Sequence, residues 1–159
     1  ASPGHILTGM VDSSRLGVAG HSDGAETALA VAANSAVPAP HMDAAVILAG
    51  EELKVPKGSY FTVGSPPLMV VQGSADTVNQ PAESQAIYNQ SPPPKYLLDI
   101  VNGTHDAPYE GNGAGAQVVR RTTLAFLDTY LAGHSGAAPR IGQQGDVPGV
   151  STLSDQAPD

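Results

Sequence analysis

Three residues of this chain have the types and the placement to carry out nucleophilic catalysis together: Ser22, Asp76 and His105. Ser22 stands at the centre of Gly20-His21-Ser22-Asp23-Gly24, a Gly-x-Ser-x-Gly pattern. Between a strand and a helix, such a pattern is a nucleophile elbow, which holds a serine hydroxyl exposed at the tip of a sharp turn with a helix N-terminus behind it. A serine hydroxyl is a poor nucleophile until a neutral imidazole takes its proton. The imidazole in turn needs a carboxylate to set its tautomer and stabilise the imidazolium that forms. Ser, then Asp, then His is the chain order expected with this elbow, and it differs from both serine-protease orders.

The pattern alone decides little, because in a chain of this length and composition it arises by chance about once in six tries. Its flanks decide more. Leu16-Gly17-Val18-Ala19 reads as a short buried strand, and Ala25, Ala28, Leu29 and Ala32 recur at helical spacing with Ala30, Val31 and Ala33 filling the other side. A Cβ at either Gly20 or Gly24 is expected to crowd the strand and helix across the turn. The plainer alternative is a Gly-rich loop in which Ser22 only caps the helix.

Further along, Asn34 to Pro40 breaks the helix, and Ala44–Ala49 reads as a second strand. Residues 50–67 form a long irregular connection that either overhangs a site or crosses the surface. Leu68–Gln72 is a third strand, Pro81 to Asn89 a helix with proline in its first turn, and Tyr96–Val101 a fourth strand. Ala116–Leu131 is a long helix with Val119, Phe126, Leu127, Tyr130 and Leu131 on its core face. This alternation predicts an α/β fold of three layers, with about four parallel strands and right-handed crossovers. Residues 1–132 form the catalytic domain in this reading. Residues 133–159 form a Gly/Pro-rich tail, predicted irregular, in which Ile141, Val147, Val150 and Leu153 stand isolated.

In an open parallel sheet, functional groups gather beyond the carboxyl ends of the strands. Ser22 follows the first strand, Asp76 the third and His105 the fourth, so the three converge on one sheet edge. The other candidates are placed less well. His21 lies within the elbow with its side chain turned from the nucleophile, His41 precedes a strand, and His5 and His134 lie near the ends or the tail; all four read as structural or solvated. Asp99 is inside a strand. Asp106 adjoins the base, where it shapes the loop. Asp23 and Glu26 are explained by the helix N-terminus they favour.

Composition excludes several other classes. Charged residues are 14% and the formal net charge is −8, the wrong sign for a nucleic-acid partner. There is no cysteine, hence no disulfide, thiolate metal site or cysteine nucleophile. No stretch is long and apolar enough to span a bilayer, and no His/Asp/Glu run has metal-ligand spacing such as H-E-x-x-H. No metal and no cofactor is therefore expected.

The segments RLGVAGHSDGAETALAVA, PPLMVVQGSADTV and YLLDIVNGTHDAPY resemble the three catalytic blocks of the α/β-hydrolase superfamily. Within it they resemble the serine esterases of the dienelactone-hydrolase-like and polyester-hydrolase-like group, over about residues 10–131. Carried over by position, the resemblance implies Ser22 as nucleophile, Asp76 as acid, His105 as base and the backbone N–H of Asp23 as one oxyanion-hole donor. It implies hydrolysis of a small-molecule or polymeric ester through an acyl-enzyme. Little bulk is left for a lid, which favours small or extended, accessible esters. Secretion is suggested by the resemblance and by a start without Met.

The family's fold has about eight strands with the elbow after the fifth, whereas only Ala1 to Ser14 precedes the elbow strand here. By the resemblance this chain corresponds to the C-terminal half, without the loop that gives the second oxyanion donor. Leu16–Ala19 is then an open apolar edge, which predicts a homo-oligomer or pairing with an N-terminal half on another chain. Three functions stay open: an esterase, a half-assembled or non-catalytic module of a larger hydrolase, and a peptidase or amidase of the same superfamily.

Overall fold

A computed structural model describes residues 4–157 except 5, 7, 11, 56 and 63. His5 and the start at Ala1 lie outside the described residues. The order is β1 (Gly17–His21), α1 (Asp23–Ala33), β2 (Ala44–Leu48), β3 (Leu68–Gly73), α2 (Pro81–Gln90), β4 (Lys95–Ile100), α3 (Ala114–Tyr130), a 3₁₀ turn at Ser135–Ala137, α4 (Ala138–Gly145) and β5 (Ser151–Gln156). The five strands form one sheet in the order β1-β2-β3-β4-β5. The first four are parallel; α1 and α2 make two of the crossovers, and the long irregular connection at residues 50–67 makes the one between β2 and β3.

The apolar runs of β2 and β3 are buried on both sides because helices cover both faces of the sheet. On one face Ala45, Ile47, Leu68, Val70 and Leu97 pack against Ala25, Ala28, Leu29 and Ala33 of α1 and Ile87 of α2. On the other, Val46, Met69, Val71, Leu98 and Ile100 pack against Val118, Val119, Ala125 and Phe126 of α3 and Ile141 of α4. The period of two along each strand thus sorts its residues between two helical layers. The connection at residues 50–67 is tied to the C-terminal end of α1, where Phe61 N–H donates to Ala33 and Tyr60 bridges Asn34. That end lies about 16 Å along the helix from Ser22.

The tail departs from its sequence reading. It forms α4, with Ile141 1% exposed against α3, and β5, which pairs antiparallel to β4 with Leu153 opposite Leu98. Two features hid these elements. Strand β5 is an edge strand, STLSDQ, stabilised by backbone pairing with little apolar burial. Helix α4 has eight residues and contains Gly142 and Gly145, poor helix formers, of which Gly145 lets Leu153 and Thr122 close in to 3.2 Å from where its Cβ would stand.

Candidate active site

Strand β1 ends at His21 and α1 begins at Asp23, so the chain turns within one residue, Ser22. That residue holds φ 56° and ψ −125°, a conformation costing a non-glycine residue about 1–3 kcal/mol. Three backbone bonds hold it there: Ser22 N–H donates to Leu48 C=O at 3.0 Å, and Ser22 C=O accepts from Ala25 at 2.8 Å and Glu26 at 3.1 Å. Gly20 is required by the turn, since a Cβ there would fall 2.0 Å from the Gly24 carbonyl oxygen. Gly24 is not: a Cβ there would meet nothing within 4 Å, so the expectation that both glycines relieve crowding holds for Gly20 only.

The Ser22 side chain does not cap α1. Its hydroxyl lies 2.9 Å from Nε2 of His105, and Nδ1 of His105 lies 2.9 Å from Oδ2 of Asp76. The loops after β1, β3 and β4 thus bring the three sequence-selected side chains into one hydrogen-bond chain. Asp76 is fully enclosed at its side chain and His105 nearly so. Burial opposes ionisation of Asp76, but hydrogen bonds from His105, the Val78 backbone and Gln72 outweigh it and lower its pKa below the ordinary 3.8. An ionised Asp76 can only accept, so Nδ1 of His105 carries the proton. Nε2 is the ring nitrogen that faces Ser22.

Several residues around these three were not singled out from the sequence. Gln72, at the end of β3, donates to Asp76 Oδ2 at 3.2 Å while its own carbonyl accepts from Ser84 of α2 at 2.7 Å. The backbone N–H groups of Val78 and Asn79 bond Asp76 Oδ1, and Asn79 Nδ2 ties this loop to Ala49 after β2. Tyr109 donates to the Val71 carbonyl at 3.0 Å, and burial raises its pKa, so it stays a phenol. No spacing rule marks these residues, because their partners come from separate segments.

His21, read as turned from Ser22, packs against His105. Its Nε2 donates to the His105 carbonyl at 2.9 Å, and its ring centroid is 4.9 Å from that of His105 and 4.7 Å from that of Tyr109. Asp106 shapes the same loop, its carbonyl accepting from Tyr109 and Glu110. His41 and His134 are exposed beside Asp43 and Asp128. Asp99 is a strand residue whose carboxyl is driven towards the neutral form by burial. Asp23 N–H, at the first position of α1, has no partner within the helix and adjoins Ser22. A concavity of about 940 Å³, lined by Arg15, Leu124, Leu131 and Arg140, lies against α3 and α4 and shares no residue with this constellation.

The PET hydrolase-like family model matches residues 3–135. The chain belongs to that family. Its sheet is that of half an α/β-hydrolase fold, five strands mostly parallel with helices on both faces. Membership suggests an ester hydrolase of the α/β-hydrolase superfamily. The curated protein "Polyketide transferase af380" of Aspergillus fumigatus is 32% identical over 76 residues, 48% of this chain and 26% of the relative. The match therefore spans about a quarter of that relative's length. No helix among the described residues is long and apolar enough to cross a membrane.

Proposed function

We propose that the protein is a serine esterase in which Ser22 is the nucleophile, His105 the general base and Asp76 its orienting acid. The observation that carries this reading is the pair of 2.9 Å contacts joining Ser22 Oγ, His105 and Asp76. Ser22 Oγ attacks the ester carbonyl as its proton passes to Nε2 of His105, and the C–O bond to the alcohol breaks as His105 returns that proton to the leaving oxygen. Water then attacks the acyl-enzyme as His105 takes its proton, and His105 passes that proton to Ser22 Oγ as the bond from the acyl carbon to Oγ breaks, releasing the acid and regenerating Ser22. Asp76 remains ionised throughout and stabilises the imidazolium. The N–H of Asp23 is the first donor to the oxyanion.

A second reading is favoured by one feature of the sheet. Strand β1, which carries the elbow, ends the sheet order and has a partner only in β2 among the described residues. An open edge of this kind invites another strand, from a second copy or from an N-terminal half of the fold, and that partner also supplies a second oxyanion donor. Loss of one such donor costs about 10²–10³ in turnover, so the chain alone is slow in this reading.

Hydrolysis of p-nitrophenyl acetate and butyrate by the chain, beside Ser22→Ala, tests both. Activity that disappears in the variant supports the esterase, and equal rates in the two proteins refute it. Activity that requires an added N-terminal fragment supports the second reading.

A further inference from the structure

We propose that His21, His105 and Asp106 form an inhibitory site for a divalent transition-metal ion of the zinc class, which captures the lone pair on which His105 depends as a base. The inhibitory role rests on the reading of His105 as that base; the metal site does not. One donor atom from each of the three residues lies within 4.8 Å of the other two, and His21 Nε2 and Asp106 Oδ1 are 4.0 Å apart. Zinc with ligands at about 2.0–2.2 Å in a tetrahedron sets donors about 3.3–3.6 Å apart, so closure needs shifts on the order of an ångström. Asp106 is free to make them, because its side chain is 66% exposed.

Two imidazoles and a carboxylate are a donor set for zinc, nickel or copper rather than for magnesium or calcium, which take oxygen. On His105, Nδ1 is committed to the enclosed carboxylate of Asp76, which leaves Nε2 as the available donor. A metal on Nε2 replaces the hydrogen bond from Ser22 Oγ. The ion gives up water and Ser22 keeps its proton, while His21 releases its hydrogen bond to the His105 carbonyl and shifts its ring proton from Nε2 to Nδ1, so the only covalent change is an N–H tautomer exchange within one imidazole. Removal of the ion restores the lone pair, so the inhibition is reversible. The sequence offers no sign of this site because its donors sit on the first strand and on the loop after the fourth, and only the parallel sheet brings them together.

Calorimetric titration of zinc chloride into the Ser22→Ala chain, in a buffer that does not bind metal, reads the site without any need for activity. One ion per chain is expected, with affinity weakened at least about tenfold in Ser22→Ala/Asp106→Ala. It should be unchanged in Ser22→Ala/His41→Ala/His134→Ala, which removes the two other histidines paired with carboxylates among the described residues. In parallel, zinc should inhibit ester hydrolysis by the unaltered chain, with full recovery on adding EDTA and with magnesium inert at the same concentration. Asp106→Ala should keep its hydrolysis in the absence of metal and need at least about ten times more zinc for the same inhibition. Absence of binding, equal affinity with and without Asp106, or binding that leaves hydrolysis intact would overturn the proposal. A chain that binds zinc through Asp106 yet hydrolyses no ester refutes the esterase reading and the inhibitory role with it, and leaves the metal site established.

Discussion

Ser22 sits half-buried on a strained backbone, and its hydroxyl is aimed away from the helix cap and towards His105. Replacing it by alanine should lower the turnover number for p-nitrophenyl butyrate by roughly 10⁴–10⁶ while the fold survives. Asp76→Asn should cost about 10⁴ in the same assay, because the amide can donate to Nδ1 and thereby holds the ring in the wrong tautomer. The carboxyl of Asp76 also carries a pH dependence of stability. Its pKa is lowered on folding, so between that value and 3.8 the unfolded chain binds the proton more readily. Its contribution is therefore fully present above pH 3.8 and is lost as pH falls through the lowered value. Thermal melts from neutral to acid pH should show this loss in the unaltered chain and a shallower acid limb in Asp76→Asn.

At the scale of elements, the elbow divides its glycines into one that the turn requires and one that it does not. Gly20→Ala drives a methyl group against the Gly24 carbonyl and should destabilise the fold by about 1–3 kcal/mol and displace Ser22. Gly24→Ala, in the first turn of α1 with open space around it, should leave the melting temperature and the activity close to those of the parent. Chemical denaturation of the two variants separates them. The sequence made the elements legible where burial and periodicity agree. The apolar runs of β2 and β3 and the stripe of Val119 and Phe126 on α3 mark themselves. So do Ser22, Asp76 and His105, each in the loop beyond the carboxyl end of a strand. The supports of Asp76 were hidden, because Gln72 reads as one more strand residue until Ser84 of α2 is seen to orient it.

Over the whole molecule the same distinction explains the tail. Ile141 and Leu153 look isolated in a polar stretch, but one is buried against α3 and the other lies opposite Leu98 in the sheet. Packing between distant segments supplies what local pattern lacks. Ile141→Ala should destabilise the protein by about 2–5 kcal/mol in urea unfolding, a cost that an irregular tail would not incur. The sheet is thus closed on its β4 side by β5, while β1 remains its other end. All of the proposed chemistry rests on one serine beside that end. Mass spectrometry after treatment with a fluorophosphonate ester tests this most directly. One adduct on the peptide bearing Ser22, absent in Ser22→Ala and strongly reduced in His105→Ala, is the expected result. A chain that hydrolyses esters yet carries no adduct there, or carries it on another serine, would contradict the assignment.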